Sequence, residues 1–372
     1  MNGRLGVEVE LLAPEGSSRR VLAEAIADQL CGAVEPFLFP DAEPSKLGGT
    51  ALFHNLTPGF RIRDGAGAIA AWVVDDITLQ LDLDREAPPV EGWWRVVSDD
   101  QRLIELAARH VDAALHLPDA LARLAELFGV VPEPGPGGMW RLRTRDGQPI
   151  AIAAPLPGAR HRGAELVTAP IEDDHERRLD ELLSIAVGLG FTAPAEGATH
   201  VHLDAAPLRH ARTFRRFAQL IDPLLGDLRA VLELNPRCVR LGAWPRELLT
   251  ALDAPDWDGL EWPAVQQRLD GIRITKYCDV NVRNVVLGAP DKDTVELRIL
   301  PVHVEAAAIL RAARLLESIV AWAGGDDEID VDAGLRSALG TLPLDAADRR
   351  WWEERARSAI SSSRGTGDAP AS

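Results

Sequence analysis

Two glutamates two residues apart, Glu8 and Glu10, sit inside an otherwise apolar run, Leu5-Gly6-Val7-Glu8-Val9-Glu10-Leu11-Leu12. The period of two predicts a β-strand, in which residues i and i+2 share one face about 6.5–7 Å apart. Two carboxylates on one strand face repel each other, so burying them requires a compensating cation, and hard divalent ions supply one. The alternative is a solvated face that carries only surface charge.

The same spacing recurs along the chain. His200 and His202, followed by Asp204, alternate in Thr-His-Val-His-Leu-Asp. Two imidazoles on one strand face share a metal, hold one ring over a reacting group, or form a structural pair. Glu296 and Arg298 alternate in Thr-Val-Glu-Leu-Arg-Ile-Leu, either as a metal ligand beside a phosphate-binding group or as part of a cross-strand ion-pair network. Tyr277, Asp279, Asn281 and Arg283 alternate in a fourth segment, lining a cleft or facing solvent, and Glu165 is a lone acid in an apolar strand. As neighbours in one sheet, these strands would make a concave acidic floor for two or more Mg²⁺ ions beneath a nucleotide triphosphate. Arginine would supply the positive charge that stabilises a transferring phosphoryl group.

Strands and helices mix without strict β-α-β alternation, which predicts an α+β fold with a largely antiparallel sheet. Helices are expected from Ser17/Ser18 to about Leu30, at 173–189, at 208–234 with a break at Pro223, at 304–323, and around Trp351-Trp352. Residues 32–60 read as a long irregular loop, 78–83 and 276–287 as strands, and 99–130 as a helical insertion. The Pro-Gly run 132–138 is a rigid turn or a linker, the turn being the expectation. The expected organisation is a single catalytic domain over residues 1–360 and a disordered tail over 361–372. Trp351-Trp352 is either the interface of a homo-oligomer or a pair docked on the parent sheet, and docking is the expectation.

Composition narrows the partners. Forty Lys+Arg against 57 Asp+Glu leave a net charge of −17, which disfavours nucleic acid and anionic membranes. Cys31, Cys238 and Cys278 are odd in number and widely spaced, so neither a disulfide framework nor a thiolate zinc site is expected. Met1 to Leu12 has neither a basic n-region nor an apolar h-region, and the expected location is the cytoplasm. Lys46, Lys276 and Lys292 are the three lysines, and this Arg-over-Lys usage in an Ala-rich chain suggests a GC-rich bacterial genome. No Gly-x-Gly-x-x-Gly, P-loop or Gly-x-Ser-x-Gly motif occurs.

In Gly6-Val7-Glu8-Val9-Glu10-Leu11, Trp72-Val73-Val74-Asp75-Asp76, Gly163-Ala164-Glu165-Leu166-Val167-Thr168-Ala169-Pro170, His200-Val201-His202-Leu203-Asp204, Asn235-Pro236-Arg237-Cys238-Val239-Arg240, Lys276-Tyr277-Cys278 and Val295-Glu296-Leu297-Arg298-Ile299, the chain resembles the amidoligase family of the carboxylate-amine ligase superfamily, which includes glutamine synthetase and glutamate-cysteine ligase. The likeness runs from about residue 3 to 325. It implies a glutamine-synthetase-like curved, largely antiparallel sheet with helices on its convex side, binding ATP and magnesium. It also implies the reaction: ATP phosphorylates a carboxylate, and an amine attacks the acyl phosphate to give an amide or peptide-like bond. Carried over by position, Glu8, Glu10, Glu165 and Glu296 resemble Mg²⁺ ligands, His202 a metal or phosphate contact, and Arg298 the stabiliser of phosphoryl charge. Arg237, Arg240, Lys276, His200 and Arg283 resemble nucleotide- and anion-binding groups. The implied substrates are small-molecule or peptide carboxylates and amines. Two other readings compete: a zinc metallohydrolase built on His200, His202 and Asp204, and a catalytically degenerate ligase fold that only binds.

Overall fold

Strand β1 (Leu5–Leu12) forms where the alternation predicts it, and helix α1 (Arg19–Gln29) follows with Ser18 at its N-cap. The computed structural model describes residues 3–44, 52–238, 241–288 and 292–364, as an α+β chain of helices and antiparallel strands. It divides into two compact units. One comprises Met1–Glu8, Pro170–Asp180 and Gly197–Ser372, the other Val9–Ala169 and Glu181–Glu196.

In the second of these, the segment expected as a loop is instead a pair of long strands. β2 (Ala33–Pro44) and β3 (Leu52–Arg63) pair antiparallel, from Ala33 opposite Arg63 to Pro44 opposite Leu52. The prolines that suggest a loop are compatible with this pairing. Pro36 and Pro40 are four residues apart and so share one phase of an edge strand, where a missing N–H leaves no ladder bond unmade. β4 (Ile69–Val74) and β5 (Trp94–Ser98) then take opposite halves of β3: β5 pairs with His54–Leu56 and β4 with Phe60–Arg63, and Pro58-Gly59 falls at the change of neighbour.

Residues 78–83, expected as a strand, are turns. Asp76 Oδ1 accepts the Thr78 N–H at 2.8 Å, and the Glu196 carboxylate accepts those of Gln80 and Leu81. Side-chain oxygens thus take the place of a neighbouring strand. Helices α2 (Gln101–His110), capped by Asp100, and α3 (Leu117–Phe128), ended by Gly129 at φ 61°, occupy the expected helical stretch. Their Leu103, Ile104, Leu121 and Leu124 pack with Leu56, Trp94 and Val96 into an apolar core. β6 (Glu133–Pro134), β7 (Trp140–Arg143), β8 (Pro149–Pro155) and β9 (Gly163–Thr168) complete this unit, in the order β9-β4-β3-β5-β8-β7-β6. The Pro-Gly run 132–138 lies inside this unit, carrying β6 and a single 3-10 turn.

Beyond helix α4 (His175–Gly188), the other unit supplies β10 (Ala198–Asp204), α5 (Ala211–Val231), α6 (Arg246–Leu252), α7 (Trp262–Leu269), β11 (Val280–Asn281), α8 (Arg283–Leu287) and β12 (Thr294–Pro301). α9 (Ala306–Ala323), α10 (Leu335–Thr341) and α11 (Ala346–Arg364) follow. Three expectations change here. α5 runs unbroken through Pro223, because the single backbone bond a proline removes is outweighed by a buried stripe that includes Phe214, Phe217, Ile221, Leu224 and Leu228. Residues 276–287 form only the two-residue strand β11 and then a helix, with the Arg283 N–H donated to Asn281 Oδ1 at 2.9 Å. The helix of the C-terminal region extends to Arg364, past the expected start of the tail at 361, while 365–372 lie outside the described residues. Trp352 is buried as α11 packs on α5 and α10, so the tryptophans dock on helices rather than on the sheet. Among the described residues no disulfide joins the cysteines, and no helix is long and apolar enough to cross a membrane.

Candidate functional site

Three strands of one unit carry the site. His202 lies opposite Glu296 across β10 and β12, and Asn281 lies opposite the same Glu296 across β11 and β12. β10 is buried on six of its seven residues and β12 on five of its eight without a regular period, so their alternation survives in the chemistry of the side chains and not in their exposure. A bulge sits at the centre. Thr199 pairs with Leu300 but Val201 with Leu297, so Arg298 and Ile299 together face His200. The Arg298 N–H turns to the Asp279 carbonyl at 2.9 Å, which ties β12 to the segment carrying Asn281. That segment is held in turn by Arg229 on the Asp279 carboxylate and by the Trp244 indole N–H on the Val280 carbonyl at 2.6 Å.

Glu8, at the end of this unit's part of β1, completes the group. His200 Nδ1 is 3.1 Å from Glu8 Oε2 and 3.6 Å from Glu296 Oε1. Asn281 Nδ2 donates to Glu296 Oε2 at 2.7 Å, Arg298 Nη1 donates to Glu296 Oε1, and Lys292 Nζ donates to Glu8 Oε1 at 2.9 Å. Burial pushes the Glu8 carboxyl up, but its surroundings, the Lys292 charge and a hydrogen bond with His200 among them, outweigh it and hold Glu8 well below the usual carboxylate range. Burial likewise opposes ionisation of Glu296, and its surroundings, the Arg298 charge foremost, overcome it, bringing its pKa down to about 2. Both are carboxylates at neutral pH. Burial, then Arg298, pushes His200 down from its ordinary value, leaving a neutral ring beside Glu8.

His202 carries the most specific geometric signal. Its Nδ1 is 3.1 Å from Thr294 Oγ1, while its buried Nε2 makes no hydrogen bond and lies 3.2 Å from Glu8 Oε1 and 3.8 Å from Glu296 Oε1. With Nδ1–H donated to the threonine, Nε2 is a lone pair aimed at two carboxylate oxygens, which repel it unless a cation lies among them. Ligand atoms of Glu8, His202 and Glu296 all lie within 4.8 Å of one another. An ion about 2.0–2.4 Å from each ligand separates opposed ligands by at most about 4.8 Å, so the residues fit a bound divalent ion.

Gly6 keeps this arrangement open, since a Cβ there would stand 3.3 Å from the His202 Cβ. Gly6→Ala is expected to weaken Mn²⁺ binding about tenfold by displacing the imidazole, with a melting temperature lower by only about 2–4 °C. Calorimetric titration and a thermal melt check it; unchanged affinity would remove His202 from the ligand set.

Of the residues singled out in the sequence, Glu8, His200, His202, Asn281, Glu296 and Arg298 converge within one unit. Glu10 is buried on β1 and Glu165 is half-buried on β9, both in the other unit. Arg237 is exposed in a turn, Lys276 is exposed with its ammonium 5.7 Å from the Tyr277 ring, and Arg283 is exposed at the start of α8. Arg240 lies outside the described residues. Asp204 does not join the histidines: it pairs with Arg4 at 3.3 Å and accepts the Ala206 N–H. Lys292 and Thr294 join the cluster without having been singled out, although both continue the i, i+2 phase of Glu296 and Arg298, the signal that could have found them.

The fold and site define an α+β protein with a candidate metal centre of carboxylates and imidazole on antiparallel strands. The chain matches, over residues 2–320, the family model described as "Putative amidoligase enzyme", and it belongs to that family. The match includes every residue of the cluster. The family's description is that of an enzyme forming amide bonds. None of the curated proteins compared matches the chain.

Proposed function

We propose that the protein is an ATP- and Mg²⁺-dependent carboxylate-amine ligase of glutamine-synthetase-like fold, joining a small-molecule or peptide carboxylate to an amine through an acyl phosphate. The observation that carries this is the buried, unbonded His202 Nε2 facing Glu8 and Glu296, all three within ligand distance of one ion, inside a chain of the amidoligase family. In this reading Glu8, Glu296 and His202 hold the ion, Asn281 and Thr294 fix the orientation of Glu296 and His202, and neutral His200 orients Glu8. The bound ion would supply a bridge between protein carboxylates and nucleotide phosphates. Arg298 stands beside Glu296 with its guanidinium mostly buried, suited to the charge on a phosphoryl group in transfer. Carboxylate-rich coordination favours Mg²⁺ or Mn²⁺ over a softer metal.

The γ-phosphoryl group passes to a carboxylate oxygen with release of ADP. The amine nitrogen then bonds to the carbonyl carbon, phosphate leaves with that oxygen, and the nitrogen loses a proton. Roles for Glu10 and Glu165 as further ligands, and for Arg237, Arg240, Lys276 and Arg283 as anion contacts, rest on the family resemblance. A cytoplasmic location fits the acidic composition. Zinc hydrolysis on His200, His202 and Asp204 loses support because Asp204 is engaged with Arg4.

The test is to incubate the protein with Mg·ATP and pooled carboxylates and amines and to measure ADP and phosphate. Release that requires both pools, and that Glu8→Gln abolishes, is expected. Nucleotide binding without turnover under any pool would instead make the protein a binding module.

A further inference from the structure

We infer that Lys292 is a tethered counter-ion that occupies Glu8 until a metal–nucleotide complex arrives, so that ion and nucleotide load together. This rests on the ligase reading above. Among the described residues, Arg298 and Lys292 both reach the cluster, and they differ in exposure. Arg298 is 14% exposed and is bonded to Glu296, whereas the Lys292 side chain is 57% exposed and reaches in with its ammonium to a Glu8 that is only 10% exposed. An ammonium on a solvated stem exchanges partners readily, because water compensates it when it leaves.

The atom it holds is the relevant one. Lys292 Nζ is 2.9 Å from Glu8 Oε1, the same oxygen that faces His202 Nε2 at 3.2 Å. An ion coordinated by Glu8 and His202 and the Lys292 ammonium therefore compete for one oxygen.

The balance of charge gives the competition its consequence. Glu8 and Glu296 contribute two negative charges, and Lys292 and Arg298, the cations paired with them, two positive ones. A divalent ion arriving alone leaves an excess of positive charge beside Arg298 and the displaced ammonium. A triphosphate arriving with it removes that excess and offers the displaced ammonium a new anionic partner. Ion and nucleotide therefore raise each other's affinity, and by linkage they do so by one common factor.

The experiment is a calorimetric titration of Mn²⁺ into the wild-type protein, Lys292→Met and Lys292→Arg, each with and without a saturating non-hydrolysable ATP analogue. The wild type is expected to bind Mn²⁺ about tenfold more tightly with the analogue present. Lys292→Met is expected to bind Mn²⁺ alone about tenfold more tightly than the wild type and to lose most of the analogue's effect. Lys292→Arg keeps the charge and is expected to follow the wild type. Mn²⁺ affinity that is unchanged or weaker in Lys292→Met overturns this inference alone, as does Lys292→Arg behaving like Lys292→Met. No Mn²⁺ binding by any of the three, with or without the analogue, overturns the ligase reading and this inference with it.

Discussion

Glu296→Gln is expected to lower ligase turnover on the order of 10²–10³-fold and to abolish measurable Mn²⁺ binding, while the protein still folds. Glutamine preserves the volume of the side chain but cannot satisfy its surroundings. Glu296 accepts from Asn281 on Oε2 and from Arg298 on Oε1, and Oε1 also faces both imidazoles. An amide has one acceptor oxygen. If the oxygen stays with Asn281, an NH₂ group is pressed against the Arg298 guanidinium; if it turns to Arg298, Asn281 meets a donor. Either rotamer also removes the negative charge that offsets Arg298 and binds the ion. Asn281→Ala is the graded companion, because it leaves the charge in place and only frees the carboxylate to rotate, so a loss of about 10–100-fold in metal affinity is expected. Mn²⁺ titration and ADP release on both variants check the order. Wild-type turnover in Glu296→Gln would remove this cluster from the chemistry.

The parts of the site legible in sequence are those whose chemistry repeats at the period of a strand. Glu8 with Glu10, His200 with His202 and Glu296 with Arg298 announce a shared face however deeply the strands are buried, because alternation is a property of the backbone. What alternation cannot show is which neighbouring strand faces which. Asn281 reads as one member of a long polar strand, yet only Val280 and Asn281 pair with β12 before the chain turns into α8. Lys292 continues the phase of Glu296 and Arg298 ahead of β12, but its meeting with Glu8 spans 284 positions of sequence, a separation no local pattern reports.

The fold shows the same division. Prolines in residues 32–60 signal a loop when each is read as a breaker, but a break follows only where the missing N–H is needed, and on one phase of an edge strand it is not. The alternating stretch 78–83 signals a strand, yet its backbone donors go to Asp76 and Glu196, the latter 116 residues from Gln80. In both cases the outcome depends on a partner elsewhere in the chain. Helices α2, α3 and α9 were legible because their bonds are local and their apolar stripes repeat within a few residues.

Arg19 is the clearest residue of this second kind, and its loss is expected to have the largest effect on stability. In sequence Arg19-Arg20 is an ordinary charged start to a helix, but the Arg19 side chain is wholly buried. Its Nε donates to the Pro58 carbonyl at 3.1 Å, and Nη1 to Asp75 Oδ1 at 3.2 Å and the Arg160 and Gly163 carbonyls at 3.0 and 3.1 Å, with the guanidinium 4.5 Å from the Trp93 ring centre. Burial lowers its pKa to about 10, with Asp75 opposing the shift, so the group stays charged at neutral pH. Arg19→Leu is expected to cost about 3–5 kcal/mol, because the wholly buried Asp75 loses one of two cationic partners, and to lower the melting temperature by about 10 °C. Arg19→Lys is expected to recover little, since one ammonium cannot reach acceptors arranged around a planar fork. The double variant Arg19→Leu/Asp75→Leu separates a charge effect from a packing effect. It removes the stranded carboxylate together with its partner, while Arg160 retains the carbonyls of Ile77, Leu79 and Asp76. The double variant should therefore be more stable than Arg19→Leu alone. Urea denaturation of the three proteins decides it: a double variant less stable than Arg19→Leu would mean that Arg19 acts through the shape it fills and not through the charge it holds.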